Sequence, residues 1–136
     1  MSLPEFRARV VLEATISPSE DPNKVAEALG AVVGEAPHEV PEGSRTARLV
    51  IEDPQVLARI RDQLRDRHVR SAARKQLLVS KSGRSAVLML NKQAATVGVL
   101  ALCGSEEESP LGPIYLTLES DGLDEAIEWL TAYAGG

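Results

Sequence analysis

The sequence predicts one α+β domain: a mixed or antiparallel sheet with helices packed on one face. Three observations carry that prediction. Several segments alternate apolar and polar residues, as strands with one buried face do. Other segments carry apolar residues at helical spacing and open on Asp or Asp-Pro. Strands and helices then follow one another without a regular βαβ rhythm, which favours an antiparallel or mixed sheet over a doubly wound one. The chain has 136 residues, one domain's worth, and residues 1–136 contain no linker or low-complexity segment.

The elements can be justified in order. Residues 5–16 place Phe6, Ala8, Val10, Leu12, Ala14 and Ile16 on one side and Arg7, Arg9, Val11, Glu13 and Thr15 on the other. After the turn SPSEDP, Asp21 is a good N-cap and Pro22 suits the first helical position. Val25, Ala26, Leu29, Val32 and Val33 make a helical stripe that ends near Gly34. A second strand, SRTARLVIE, buries Ala47, Leu49 and Ile51 and shows Thr46, Arg48 and Val50 outward. Glu-Asp-Pro then recurs at 52–54 before another helix, 32 residues after its first occurrence. This reads either as a weak internal repeat or as a common way to start a helix.

The second helix carries Leu57, Ile60 and Leu64. Beyond Arg67 the apolar set becomes Val69, Ala72, Ala73 and Leu77. At 100° per residue one straight helix cannot hold both sets on one face, so a break is expected near 66–69. KSGRS is a turn. RSAVLMLN is apolar on both sides, as a central strand would be. NKQAATVG forms a short helical turn with Asn91 near its cap, and VGVLALC reads as another buried strand. IYLTLES turns Ile114, Leu116 and Leu118 inward. Asp121 is expected to cap a last helix, packed through Leu123, Ile127, Trp129, Leu130 and Tyr133.

Composition narrows the function. The single cysteine, Cys103, cannot close an internal disulfide or build a zinc site, and its apolar surroundings suit a buried, inert thiol in a reducing cytoplasm. No apolar run reaches the roughly 18 residues of a membrane span, and charges interrupt any signal-peptide core at the N-terminus. His38 and His68 lack metal-ligand spacing, and the phosphate-binding glycine motifs and the GxSxG elbow are absent. Glu106–Glu108 cannot all converge on one cation from a regular element, so a solvated loop is expected. No enzymatic constellation and no cofactor is indicated.

Charge is the informative feature. The net charge is −5, which taken alone argues against nucleic acid. Its distribution argues otherwise. Residues 1–58 carry net −5; residues 59–92 hold 10 basic and 2 acidic side chains, net +8; residues 93–136 carry net −8 with no basic residue. Arg67, Arg70 and Arg74 share a helical stripe, Arg61 and Arg65 form an i, i+4 pair, and Lys75, Lys81, Arg84 and Lys92 continue the segment. Arginine forks suit phosphate oxygens. Charge alone leaves three readings open: phosphate binding, pairing with the acidic C-terminal third within the chain or across a dimer, and a solvated face. The polar sheet face, with Arg7, Arg9 and Arg48, is a second candidate surface. Only four aromatic residues are present, so base stacking across that face is not expected.

The segments MLNKQAATVG (89–98) and SPLGPI (109–114) are the most specific in the chain. With ATISPSEDPNKV, LRDRHVRSAARKQLL and IEWL they extend over nearly its whole length. In these features the chain resembles a family of small archaeal proteins catalogued as a predicted RNA-binding domain. The resemblance implies an α+β fold similar to that of the ribosomal protein that binds 5S ribosomal RNA. It also implies a homodimer and an RNA partner, ribosomal RNA among the candidates, with no catalytic activity. The family's polar motif matches Asn91, Lys92 and Gln93, and its basic helix matches Arg65, Arg67, Arg70 and Arg74. Where members often carry Gln this chain has Asp66, a carboxylate set into the stripe. The expected site is therefore Arg61, Arg65, Arg67, Arg70, Arg74, Lys75, Lys81, Arg84, Asn91, Lys92 and Gln93. The alternative is a structural or interaction protein whose basic helix pairs with an acidic protein surface or with its own dimer partner.

Overall fold

The computed structural model describes residues 7–35, 40–41, 43–66, 68–108 and 111–132. The predicted alternation becomes four strands: β1 (Ala8–Thr15), β2 (Thr46–Ile51), β3 (Ser85–Leu90) and β4 (Ile114–Ser120). They form one antiparallel sheet in the order β2-β1-β4-β3. Val10 and Leu12 face inward beside Leu116 and Leu118, with Ala47, Ile51, Ala86, Leu88 and Leu90 extending the layer. The helices α1 (Pro22–Val33), α2 (Pro54–Asp66), α3 (Arg70–Ser80) and α5 (Leu123–Leu130) supply the apolar residues of the other layer, and α4 is the single turn Lys92–Ala95. The expected α+β class is what forms; the opposite sheet face carries Arg9, Glu13, Arg48 and Glu119 together with an apolar row of Val50, Val11 and Val87, of which Val11 is buried rather than outward and exposed.

Both Glu-Asp-Pro segments do the same local job. Asp21 accepts from the Asn23 amide and Asp53 from the Gln55 amide, each at 2.9 Å. Gly34 closes α1 at φ 72°, a left-handed conformation that glycine adopts freely. The last carbonyls of α1 are then taken up by α2: Arg59 donates to Val33 and Gly34, and Gln63 to Val32. The break between α2 and α3 falls where the stripe rotates, with His68 at φ 56°. Ala73 and Leu77 are buried and Val69 packs against them, but Ala72 is exposed.

Three expectations need correction. β3 lies at the edge of the sheet rather than its centre. Its outer hydrogen-bonding groups are satisfied by substitutes for a fifth strand. Ser80 Oγ bonds both the Val87 amide and carbonyl, and Gln76 Oε1 accepts from the Met89 amide. The same Gln76 side chain donates to the Cys103 carbonyl, while the Cys103 amide donates to Met89. This explains why an apolar edge strand is tolerated: an unpaired edge would be a template for association. Residues 97–103 are correspondingly not a strand, apart from one bridge between Leu90 and Leu102. Leu100 and Cys103 are buried as expected, with the Leu100 amide held by Gln63, and burial pushes the Cys103 thiol pKa up. Finally, Gly122 rather than Asp121 stands at the start of α5, because Asp121 is engaged by Arg84. Phe6 and Tyr133 lie outside the described residues.

Replacing Gln76 by Ala leaves the Met89 amide on the β3 edge and the Cys103 carbonyl beside it without these partners. The expected cost is about 2 kcal/mol in urea unfolding, with faster hydrogen exchange at the Met89 amide. Unchanged stability and exchange would show that water replaces the side chain there.

Candidate nucleic-acid interface

The basic segment does not face solvent as a free stripe. It folds onto the acidic C-terminal helix. Arg84 pairs with Asp121, Lys81 with Asp124 and Arg74 with Glu128, three steps of an antiparallel ladder between α3 with its following turn and α5. Asp124 and Glu128 share one face of α5 at i, i+4, and Asp121 lies in the turn just before it. Arg74 holds the Glu128 carboxyl below its ordinary pKa through their hydrogen bond. Arg70 donates to the Ala132 carbonyl beyond the end of the same helix, at 3.4 Å. Arg61 lies over the Trp129 ring, 4.8 Å from its centroid, a cation–π contact that ties α2 to α5.

The remaining expected residues separate. Arg65 bonds Asp62 one turn earlier on α2, at 2.8 Å. Lys75 is exposed, one step round the helix from Arg74. Arg67 lies outside the described residues. Asn91 caps α4, accepting from the Ala94 amide at 2.9 Å, and Gln93 is exposed on that turn. Lys92 is a correction. It is only 3% exposed, and its ammonium meets the carbonyls of Thr15 and Leu111, each at 2.8 Å, and the carboxylate of Glu20 at 3.1 Å. Those three groups match the three donors of an ammonium, so Lys92 has none left for a phosphate.

The polar sheet face is neutralised in a similar way. Arg9 pairs with Glu119 across the β1–β4 register at 2.7 Å, and Arg48 with Glu13 across β1–β2 at 3.5 Å. Tyr115 on this face donates to Glu106, in the 3₁₀ turn Glu106–Glu108, at 2.5 Å. Sequence reasoning left pairing with the acidic C-terminal third open as one reading but did not name the partners, which are Asp121, Asp124 and Glu128. Among the described residues no group of three or more His, Cys, Asp or Glu side chains could hold a metal ion.

A family model described as RNA binding matches residues 9–119. A UPF0201 protein of Sulfurisphaera tokodaii is 36% identical over 125 residues, covering 90% of this chain and 86% of the relative. The chain belongs to the UPF0201 family. A second member, from Sulfolobus acidocaldarius, is 35% identical over the same extent. Solved structures agree with the fold. A UPF0201 protein from Methanococcus jannaschii matches with a TM-score of 0.72 at 21% identity, covering 94% of this chain and 96% of that one. An Archaeglobus fulgidus protein of family-model DUF54 matches at 0.71 and 15% identity, covering 93% and 99%. The resemblance read from LNKQAA and PLGPI thus holds, and in this UPF0201 chain the lysine of the first motif is a buried structural cation.

Two measurements test these assignments. Lys92→Met leaves the Glu20 carboxylate without its cation and is expected to cost about 3 kcal/mol or more in urea unfolding. Adding Glu20→Gln should restore part of that loss. Additive effects would show that the two side chains do not depend on each other. Separately, hydrogen bonding to Glu106 pushes the Tyr115 pKa up to about 12. The protonated ring is favoured in the folded state, so this contribution to stability holds below about pH 10 and fades as pH rises toward 12. Phenolate absorbance should show a tyrosine titrating well above 10, and Glu106→Gln should bring it back toward 10.

Proposed function

We propose that the protein is a non-enzymatic RNA-binding module of the cytoplasm. On this reading it acts as a homodimer and contacts the phosphate backbone, that of ribosomal RNA among the candidates, through the outer row Arg74, Lys81 and Arg84 with Lys75 beside it. The observation that carries the reading is the exposure of the ladder. The Arg84 and Asp121 side chains are 76% and 82% exposed, and Lys81 and Arg74 are about 40% exposed against more open carboxylates. Ion pairs this wet contribute about 0–1 kcal/mol each. A phosphate chain can therefore exchange with the carboxylates at little cost and gains from released counterions. The family's description as RNA binding supports the same partner. An exposed apolar pair on α3, Leu78 and Val79, supports association of two copies. No helix among the described residues is long and apolar enough to cross a membrane.

The acidic face of α5 occupies the basic row in the free protein, as the alternative reading anticipated for an acidic surface. The two readings differ in what displaces it. Neutralising the row with Arg74→Gln, Lys81→Gln and Arg84→Gln should weaken binding of single-stranded RNA. It should also lower the slope of log affinity against log salt by about 2. Neutralising the other side, with Asp121→Asn, Asp124→Asn and Glu128→Gln, should strengthen binding by removing the intramolecular competitor. An unchanged salt slope in the first variant would remove this row as the RNA contact.

A further inference from the structure

A cleft of about 750 Å³ opens at the end of the sheet where β1 begins, β4 ends and β3 begins. Arg7, Arg9 and Arg84 line it, together with the carboxylates of Glu52, Glu119 and Asp121 and an apolar wall that includes Pro54 and Leu57 from the first turn of α2. Arg9 commits its Nε to Glu119, and Arg84 one terminal nitrogen to Asp121. A guanidinium has five N–H donors, so both retain donors for a guest. The Arg7 head closes no ion pair on a described residue.

We propose that this cleft binds a nucleoside monophosphate unit, supplied as the phosphorylated end of an RNA strand. Three arginines line one concavity, which suits the three oxygens and the charge of about −1.5 to −2 of a phosphomonoester better than the single charge of a backbone diester. The volume lies within the range of about 300–1,000 Å³ typical of small-ligand sites, and a bare phosphate would leave most of it to water. The exposed ring of Pro54, with the buried Leu57 behind it, can cover part of a ribose or base face. Glu52, which acts on Arg9 only through its charge, is an acceptor for sugar hydroxyls or a base amino group. Arg9 is oriented by Glu119 across the β1–β4 register, which reduces the cost of ordering it around a ligand.

The identity of the ligand's carrier rests on the RNA-binding reading, and the experiment separates the two. Binding of one short RNA is measured by fluorescence anisotropy with a 5′-phosphate, with a 3′-phosphate and with hydroxyl ends. Adenosine monophosphate is measured by calorimetry. Wild type is compared with Arg7→Gln and with Arg7→Gln/Arg9→Gln, exposed changes checked for an unaltered melting temperature. One phosphorylated end should bind about tenfold tighter than the hydroxyl form, the scale of one charge-assisted hydrogen bond, and the double variant should erase the preference. RNA bound with equal affinity whatever its ends overturns this inference and leaves the RNA reading standing. Monophosphate bound through Arg7 without any RNA affinity upholds the cleft and overturns the RNA reading. Binding of neither overturns both.

Discussion

Among the described residues a single charged side chain is buried, and the fold is organised around it. The ammonium of Lys92 cannot remain in the interior unless all three donors are met, because desolvating an isolated charge is prohibitively costly. Meeting them requires three separate segments to arrive at one point: the end of β1 through the Thr15 carbonyl, the turn before α1 through Glu20, and the loop before β4 through Leu111. The Glu20 carboxylate in turn accepts from the Ser17 amide, and so shapes the turn that leads to the Asp21 cap. Asn91, next to Lys92, caps the turn that carries it. The LNKQAA segment is therefore a structural device whose lysine specifies how β1, α1 and β4 meet.

A second constraint acts at the far edge of the sheet. β3 needs partners on its outer side, and the chain supplies them from side chains as well as backbone. Gln76 and Ser80 of α3 and the segment around Cys103 together complete the edge. This fixes α3 against β3, and fixing α3 sets the orientation of Arg74 and the turn that carries Lys81 and Arg84. The position of the basic row thus follows from the pairing demands of an edge strand. Gln63 does the same on α2, joining the α1 carboxyl end to the Leu100 amide.

What could be read from the sequence, and what could not, divides along the range of the interactions involved. Alternation, Asp-Pro caps, the Gly34 terminus and the break at 66–69 are local, and each appears where the pattern places it. β3 was misplaced because apolarity on both faces signals a central strand only when both neighbours are strands; here Gln76 and Ser80 substitute for one. The cap at Asp121 was misread because a distant arginine, Arg84, claimed its carboxylate. Lys92 was grouped with surface cations because its three partners lie 77, 72 and 19 residues away. Single-sequence patterns report which face a residue shares, but not which remote segment closes over it.

The charge arithmetic illustrates the same point. A chain divided into segments of −5, +8 and −8 appears strongly polarised, yet folding sets the basic segment against the acidic one in register: Arg84 on Asp121, Lys81 on Asp124, Arg74 on Glu128. At distances beyond a Debye length, about 8 Å at physiological salt, such a ladder has almost no net field. Long-range steering of a polyanion is then weak, and the cations act only on a ligand already in contact. On the proposed RNA-binding reading, discrimination would come from exchange at short range, where an anion that offers several well-spaced oxygens competes with the carboxylates of the ladder. Folding thus turns a basic segment, which alone would attract any polyanion, into a charge-balanced row.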